Sequence, residues 1–232
     1  MSSGLKASEQ PRPIPWSVAD AALATALVFA GFFVVLVLFD RAVDVLAEED
    51  HTFLVPWVLG LLEGLLLVAA WAFAVKKYGA RWEVLGLRRP AGRAVVMPVV
   101  ALLGSLGFAG VYFAVVTALG LDSLGSSGLP EEVFGHGVTR LLNIVVVAGW
   151  APFAEEVFFR GFLLAALLPS LGAVRAAALS SAVFAGAHML PATMIPLFVT
   201  SLLLSWLYIK TRSVWPPIAT HVAQNLLVAS TI

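Results

Sequence analysis

The chain has 232 residues, 60% of them hydrophobic and 12% charged, with a formal net charge of zero. Soluble domains carry about 25% charged residues, so this composition specifies an integral membrane protein, and no basic tract offers nucleic acid a surface. Cysteine is absent, which excludes disulfides, cysteine-ligated metal and a cysteine nucleophile.

Residues 1–16 are polar and proline-rich and read as a short tail. A helical span needs about 20 apolar residues. In chain order, runs of that kind fall at 17–39, 54–75, 94–119, 138–166, 173–189, 192–209 and 214–231. The last three are short, and Pro191, Pro196, Pro216 and Pro217 punctuate them. The expected fold is all-α: a polytopic membrane helix bundle of about seven transmembrane helices. The tail 1–16 leads into transmembrane helices 1–3 with their loops over 17–137. A four-helix core follows over 138–232.

Charge tests this count. With seven spans, Lys6, Arg12, Lys76, Lys77, Arg81, Arg88, Arg89, Arg93, Arg175, Lys210 and Arg212 all fall on one side. Only Arg41 and Arg140 fall on the other, with the acidic group Asp40, Asp44, Glu48, Glu49 and Asp50. The positive-inside rule then predicts a cytoplasmic N-terminus and an external C-terminus. The stretch "RWEVLGLRRP" at 81–90 alternates apolar and basic residues and is expected along the cytoplasmic interface. Trp16, Trp57, Trp150 and Trp215 stand near span ends, where tryptophan anchors a helix at the interface.

The fourth span contains "PFAEEVFFRG" at 152–161. Each charge within a span costs about 2.5–3.5 kcal/mol on insertion scales and survives where it pairs or faces a cavity. Glu156 and Arg160 are four apart, with the glutamate first, the favourable order for a helical ion pair. That leaves Glu155 as the odd charge, about 100° round the helix from Glu156. Two histidines sit in other apolar spans: His188 in "FAGAH" and His221 in "HVAQN", with Asn225 one turn after His221. Each buried polar group needs a partner, and the nearest chemistry is each other. His51 and His136 fall in external loops. Glu63 in "GLLEGLLL" either lines the same cavity or bonds to a neighbouring helix, and Asn143 reads as a helix–helix contact.

A glutamate beside two imidazoles can take a proton from water as general base. The imidazoles then either bind a divalent metal that acidifies the water, or act without one. In the second case one orients the water while the other, with Asn225, donates to the oxyanion. Both routes hydrolyse an acyl bond within the membrane. At 1.5 Å per residue, Glu155 lies about 15 Å, His221 about 10 Å and His188 about 20 Å from the cytoplasmic ends of their spans. That spread places His188 too deep.

"EEVFFR" fits EExxxR, "FAGAH" fits FxxxH and "HVAQN" fits HxxxN, in that order on successive apolar segments. Over 138–231 the chain resembles the CAAX-protease and bacteriocin-processing family of intramembrane endopeptidases, which includes the type II CAAX prenyl endopeptidases. The resemblance implies that Glu155 is the base, that Glu156 and Arg160 support it, and that His188, His221 and Asn225 complete the site. It leaves the cofactor open: a divalent metal such as zinc, held by His188 and His221, or none. The implied activity is cleavage of a membrane-associated or lipid-tethered protein or peptide near the cytoplasmic side. The expected setting is the plasma membrane of a prokaryote, with membrane lipid and a protein or peptide substrate as partners and no nucleic acid. Oligomeric state is unassigned. The alternative is a non-catalytic membrane protein of the same fold, such as a bacteriocin-immunity or scaffold protein.

Rival signatures are weaker. "GSSG" at 125–128 fits the GxSG of rhomboid-type serine proteases, but Ser127 falls in a polar loop. Neither HExxH nor GxGD occurs.

Overall fold

The computed structural model describes residues 14–45, 48–90, 96–125 and 135–230. Ser127 and the tail 1–13 lie outside them. Among the described residues the chain is all helical. Five helices are long and apolar enough to cross a membrane: Val18–Val43, Phe53–Lys76, Val96–Ala118, Gly137–Ala187 and Pro191–Thr211. Together they define an integral membrane protein.

The fourth is 51 residues long. Straight, it would run about 77 Å, more than twice the roughly 30 Å of a bilayer's hydrocarbon core. It does not run straight. Gly172 has φ 71° and ψ 172°, a conformation open essentially to glycine alone, and here the rod divides into two segments. The labels used below are α1 (Val18–Val43), α2 (Glu48–Ala70, continued as a wide turn over Trp71–Lys76), α3 (Val96–Ala118), α4 (137–171), α5 (173–187), α6 (Met194–Thr211) and α7 (Trp215–Ala229). At 15 residues, α7 is shorter than a standard span, and α5 is similar. Length and composition alone therefore mark five helices as able to cross, against the seven crossings expected.

Burial explains the arrangement. Residues 154–167 of α4 are buried without a break, as expected of a helix that is apolar all round and sits at the centre of a bundle. α2 lies along α4 on one side and α5 folds back on the other, while α6 and α7 close the group together with α3. α1 and α3 expose large apolar side chains such as Phe33, Leu38 and Leu103. Such faces suit lipid and would be a liability in water.

The start of α1 is tied down by its own sequence. Ser17 and Asp20 form a reciprocal capping box. Asp20 also receives Lys77 Nζ at 2.5 Å and the Tyr78 hydroxyl at 2.6 Å, which joins the end of α2 to the start of α1. The hydrogen bond to Asp20 holds the Lys77 amine above its usual range. Just before the cap, Trp16 is buried. Its ring stacks on Phe162 at 5.5 Å and its indole N–H donates to the Phe162 carbonyl at 3.1 Å. It is a bundle residue, not the interfacial anchor expected of it. Trp57, Trp150 and Trp215 are exposed.

The 81–90 stretch is tied to the bundle through its backbone. It forms a short 3₁₀ turn over Trp82–Leu85 with Leu85 fully buried. Its backbone docks on the bundle: Val214 N–H donates to the Gly86 carbonyl at 3.0 Å and Ser213 Oγ to the Arg88 carbonyl at 2.6 Å. The Leu85 carbonyl lies against Gly161, where a Cβ would collide with it. The glycine that ends "PFAEEVFFRG" is therefore a docking point for this loop.

Candidate active site

The EExxxR segment lies where α4 leaves ordinary α geometry. Residues Val146–Trp150 and Glu156–Leu164 have π-helical spacing, a local widening often found at functional sites. Side chains from other elements supplement the loosened backbone. Ser180 donates to the Phe159 carbonyl at 3.0 Å, and Trp16 donates to that of Phe162.

Arg160 and Glu156 are both fully buried. Arg160 donates to Glu156 Oε1 at 2.8 Å and, through its other terminal nitrogen, to Ser201 Oγ at 2.7 Å and the Ser201 carbonyl at 3.2 Å. Its guanidinium carbon lies 4.7 Å from the Phe184 ring centroid, a cation–π distance. The spacing-based pair is therefore present. Ser201 and Phe184, which the sequence reading gave no role, complete it. The pattern Thr200, Ser201, Ser205 in an otherwise apolar helix was the available signal.

Glu156 Oε1 also accepts from His221, whose Nδ1 lies 2.9 Å away. His188 Nδ1 lies 2.9 Å from the Phe184 carbonyl, which can only accept. In both rings Nδ1 carries the proton and Nε2 is left facing inward, the tautomer being set by the partner of the other nitrogen. Both Nε2 atoms face Glu155: His221 at 3.6 Å from Oε2 and His188 at 3.9 Å from Oε1. These distances exceed a hydrogen bond, so the three groups converge without sealing one another off. Glu155 and His221 are buried, while His188 is partly open.

The depth mismatch for His188 has a geometric resolution. Gly172 lies 17 residues after Glu155 and 16 before His188. α4 and α5 form a hairpin with its tip there, so equal lengths of helix bring the two residues back to one level. Ser180 on Phe159 and Phe184 against Phe159 mark the same register. Phe184 forms one wall, with its ring centroid 4.8 Å from that of His188 and 5.9 Å from that of His221.

Asn225 takes a different position from the one expected. Its amide donates to the Val147 carbonyl at 2.9 Å, not to Glu155 or either histidine. The reason lies in α4. Ala151 N–H bonds to the Val146 carbonyl, five residues back. At that spacing the Val147 carbonyl would take its bond from residue 152, and Pro152 has no N–H. Asn225 supplies the missing donor and fixes α7 to α4 about two turns before Glu155.

Two imidazoles and one carboxylate are a donor set that zinc accepts. Among the described residues, however, no group of three or more His, Cys, Asp or Glu side chains is disposed to hold a metal ion.

The chain is thus a polytopic helix bundle with ionisable groups converging inside it. Comparison with known families then places the region. Residues 137–227 match the family described as Type II CAAX prenyl endopeptidase Rce1-like, a family of proteases. The matched stretch is the one that carries the three motifs. Among curated proteins and among solved structures nothing matches.

Proposed function

We propose that the chain is an intramembrane endopeptidase in which Glu155 activates water. The observation that carries the reading is the convergence of His188 Nε2 and His221 Nε2 on the two oxygens of Glu155, inside the bundle and at one level. Glu155 takes a proton from water and the hydroxide attacks the scissile carbonyl. With each Nδ1–H engaged elsewhere, the inward Nε2 atoms accept the water's other hydrogen bond and aim its lone pair. Passed from Glu155 to His221 Nε2, that proton turns the nitrogen into a donor for the oxyanion and then goes to the leaving amine as the C–N bond breaks. Glu156, Arg160 and Ser201 hold His221 in place. Asn225 acts through the α4 backbone as a positioning residue.

The catalytic core is the four-helix region 138–232. The break at Gly172 supports counting α4 and α5 as separate crossings, which together with α7 restores seven spans. This gives a cytoplasmic N-terminus and an external C-terminus in a prokaryotic plasma membrane. The substrate is a membrane-associated or lipid-tethered protein or peptide cut near the cytoplasmic side.

In proteoliposomes carrying membrane proteins of the host, Glu155→Gln, His188→Ala and His221→Ala should each abolish cleavage with insertion preserved. Ser127→Ala should cleave normally. Cleavage should persist after exhaustive chelation, and loss restored by zinc alone would make the histidines metal ligands. Cleavage unaffected by Glu155→Gln would remove Glu155 from the mechanism, and no cleavage by wild type would leave the non-catalytic immunity or scaffold reading in its place. Reporter fusions at both termini test the topology, and two ends on one side would overturn seven spans.

A further inference from the structure

A groove of about 370 Å³ runs between α1 and the hairpin of α4 and α5, within the roughly 300–1,000 Å³ of ligand pockets. Val18 and Phe29 mark its two ends on α1, Leu163 and Leu167 line it from α4, and Leu179 and Val183 from α5. None of these residues belongs to the three motifs. Val18, Phe29 and Leu179 are exposed, so the groove opens sideways, where a spanning helix meets lipid.

Its lining fixes the chemistry of what it holds. The side chains are apolar except for Thr25, whose hydroxyl donates to the Ala21 carbonyl at 2.7 Å. A polar group placed in the groove finds no free side-chain donor and loses its water without return. A hydrocarbon chain loses nothing. Its length fits as well. Val18 to Phe29 is 11 residues of helix, about 17 Å, close to half of the roughly 30 Å hydrocarbon core, the depth of one leaflet.

One end of the groove carries a cation. Near Val18, Trp16 meets Phe162 on α4, and Ser180 on α5 meets Phe159. The tip of the hairpin at Gly172 therefore lies beyond this end. Arg175, Leu179 and Val183 are spaced by four and share one face of α5. Arg175 thus stands one turn outside the groove on the line that Leu179 and Val183 continue inward, and it is exposed. The Asp20 carboxylate, in the first turn of α1, is taken by Lys77 and Tyr78. Among the described residues Arg175 has no ion pair. An apolar channel one leaflet deep with an unpaired guanidinium at its outer end matches an amphiphile with an anionic head.

We propose that this groove holds one acyl chain of a phospholipid from the leaflet in which α1 begins, with the lipid phosphate on Arg175. The chain packs α1 against the hairpin that carries Glu155 and His188. Its inner end lies beside Val183, one residue before the Phe184 wall of the site.

The test is native mass spectrometry of full-length protein from detergent. The probe is dioleoylphosphatidylglycerol, with dioleoylglycerol and inorganic phosphate as its two halves. Wild type should retain the phospholipid, hold dioleoylglycerol more weakly, and show no competition from phosphate. Arg175→Gln should weaken retention about fivefold, the worth of one cation at an anionic lipid surface. Arg41→Gln, an exposed cation at the other end of α1, should leave it unchanged. Ala22→Leu combined with Ala26→Leu fills the groove from two exposed positions and should abolish retention, with the thermal midpoint of the lipid-free protein unchanged. Absence of bound phospholipid on wild type, or full retention by the filled variant, overturns the site. Unchanged retention by Arg175→Gln, or dioleoylglycerol held as tightly as the phospholipid, overturns the phosphate contact. A palmitoylated peptide that displaces the phospholipid overturns it as occupant and gives the groove to a substrate's tail. Should the filled variant fail to fold, Arg175→Gln, at an exposed position, decides alone.

Discussion

Removing Arg160 should be among the most damaging single changes the chain can suffer. Arg160 is wholly buried and makes three hydrogen bonds, one to the Glu156 carboxylate and two to Ser201, while covering the Phe184 ring. Arg160→Met keeps much of the volume and removes the charge. It strands Glu156 with only His221 as a partner, and breaking a buried pair from one side costs about 3–5 kcal/mol. At about 2–4 °C per kcal/mol for a chain of this size, the thermal midpoint in detergent should fall by roughly 6–20 °C. Glu156→Gln should cost less, since the amide oxygen still accepts from Arg160 and His221: about 1.5–3 kcal/mol, the worth of a charged hydrogen bond. The double variant removes both charges together and should lose less than the two single losses added, by about 0.5–3 kcal/mol. The assay is thermal unfolding of the four proteins in one detergent. Strict additivity would refute the pair. Arg160 would then act on Glu155 or on a substrate carboxylate.

Gly161→Ala should force the docked 82–86 turn away from α4, because the new Cβ meets the Leu85 carbonyl. A loss of about 1–3 kcal/mol, the usual cost of overpacking, should appear in thermal unfolding, while Gly149→Ala, which meets nothing within 4 Å, should be near neutral. Asn225→Ala should cost about 1–2 kcal/mol by leaving the Val147 carbonyl bare, and Asn225→Asp should not rescue it, because a carboxylate cannot donate. A wild-type midpoint for Asn225→Asp would refute that role. Asp20 raises the Lys77 amine above its ordinary value, so this contact stabilises the folded state fully below the unfolded amine's pKa and is lost as pH rises through the folded one. Lys77→Met should therefore narrow the stability difference from wild type only in the alkaline range, above about 10.4, and a difference that vanishes near neutrality would contradict the contact.

Much of the site is legible in the sequence because helical spacing is local. A spacing of four from Glu156 to Arg160 puts them one turn apart whether the turn is α or slightly wider, and the ion pair follows. Polar residues in apolar helices must find one another, which brings His188 and His221 to Glu155. What the sequence hides is non-local or conformational. Apolar runs alone did not reveal that α4 continues through Pro169 to a break at Gly172, so His188 looked too deep until the hairpin equalised the two arms. Asn225 looked like an oxyanion donor because its spacing from His221 points it the same way, but the carbonyl deprived by Pro152 lies nearer at hand. Trp16 looked interfacial because its position in the chain says nothing about the Phe162 ring 146 residues away. The 81–90 loop read as a surface segment because a backbone that docks through carbonyls leaves little trace in side-chain pattern beyond Gly161 itself.

The central claim is that Glu155 activates water to cut a peptide bond, and oxygen isotope incorporation tests it most directly. Membranes containing wild type or Glu155→Gln are incubated in H₂¹⁸O, and new C-terminal carboxyl groups are sought by mass spectrometry. Wild type should yield peptides ending in a carboxyl labelled with ¹⁸O, clustered near the cytoplasmic ends of membrane segments, and Glu155→Gln should yield none. Labelled ends of equal abundance in both membranes would contradict the account.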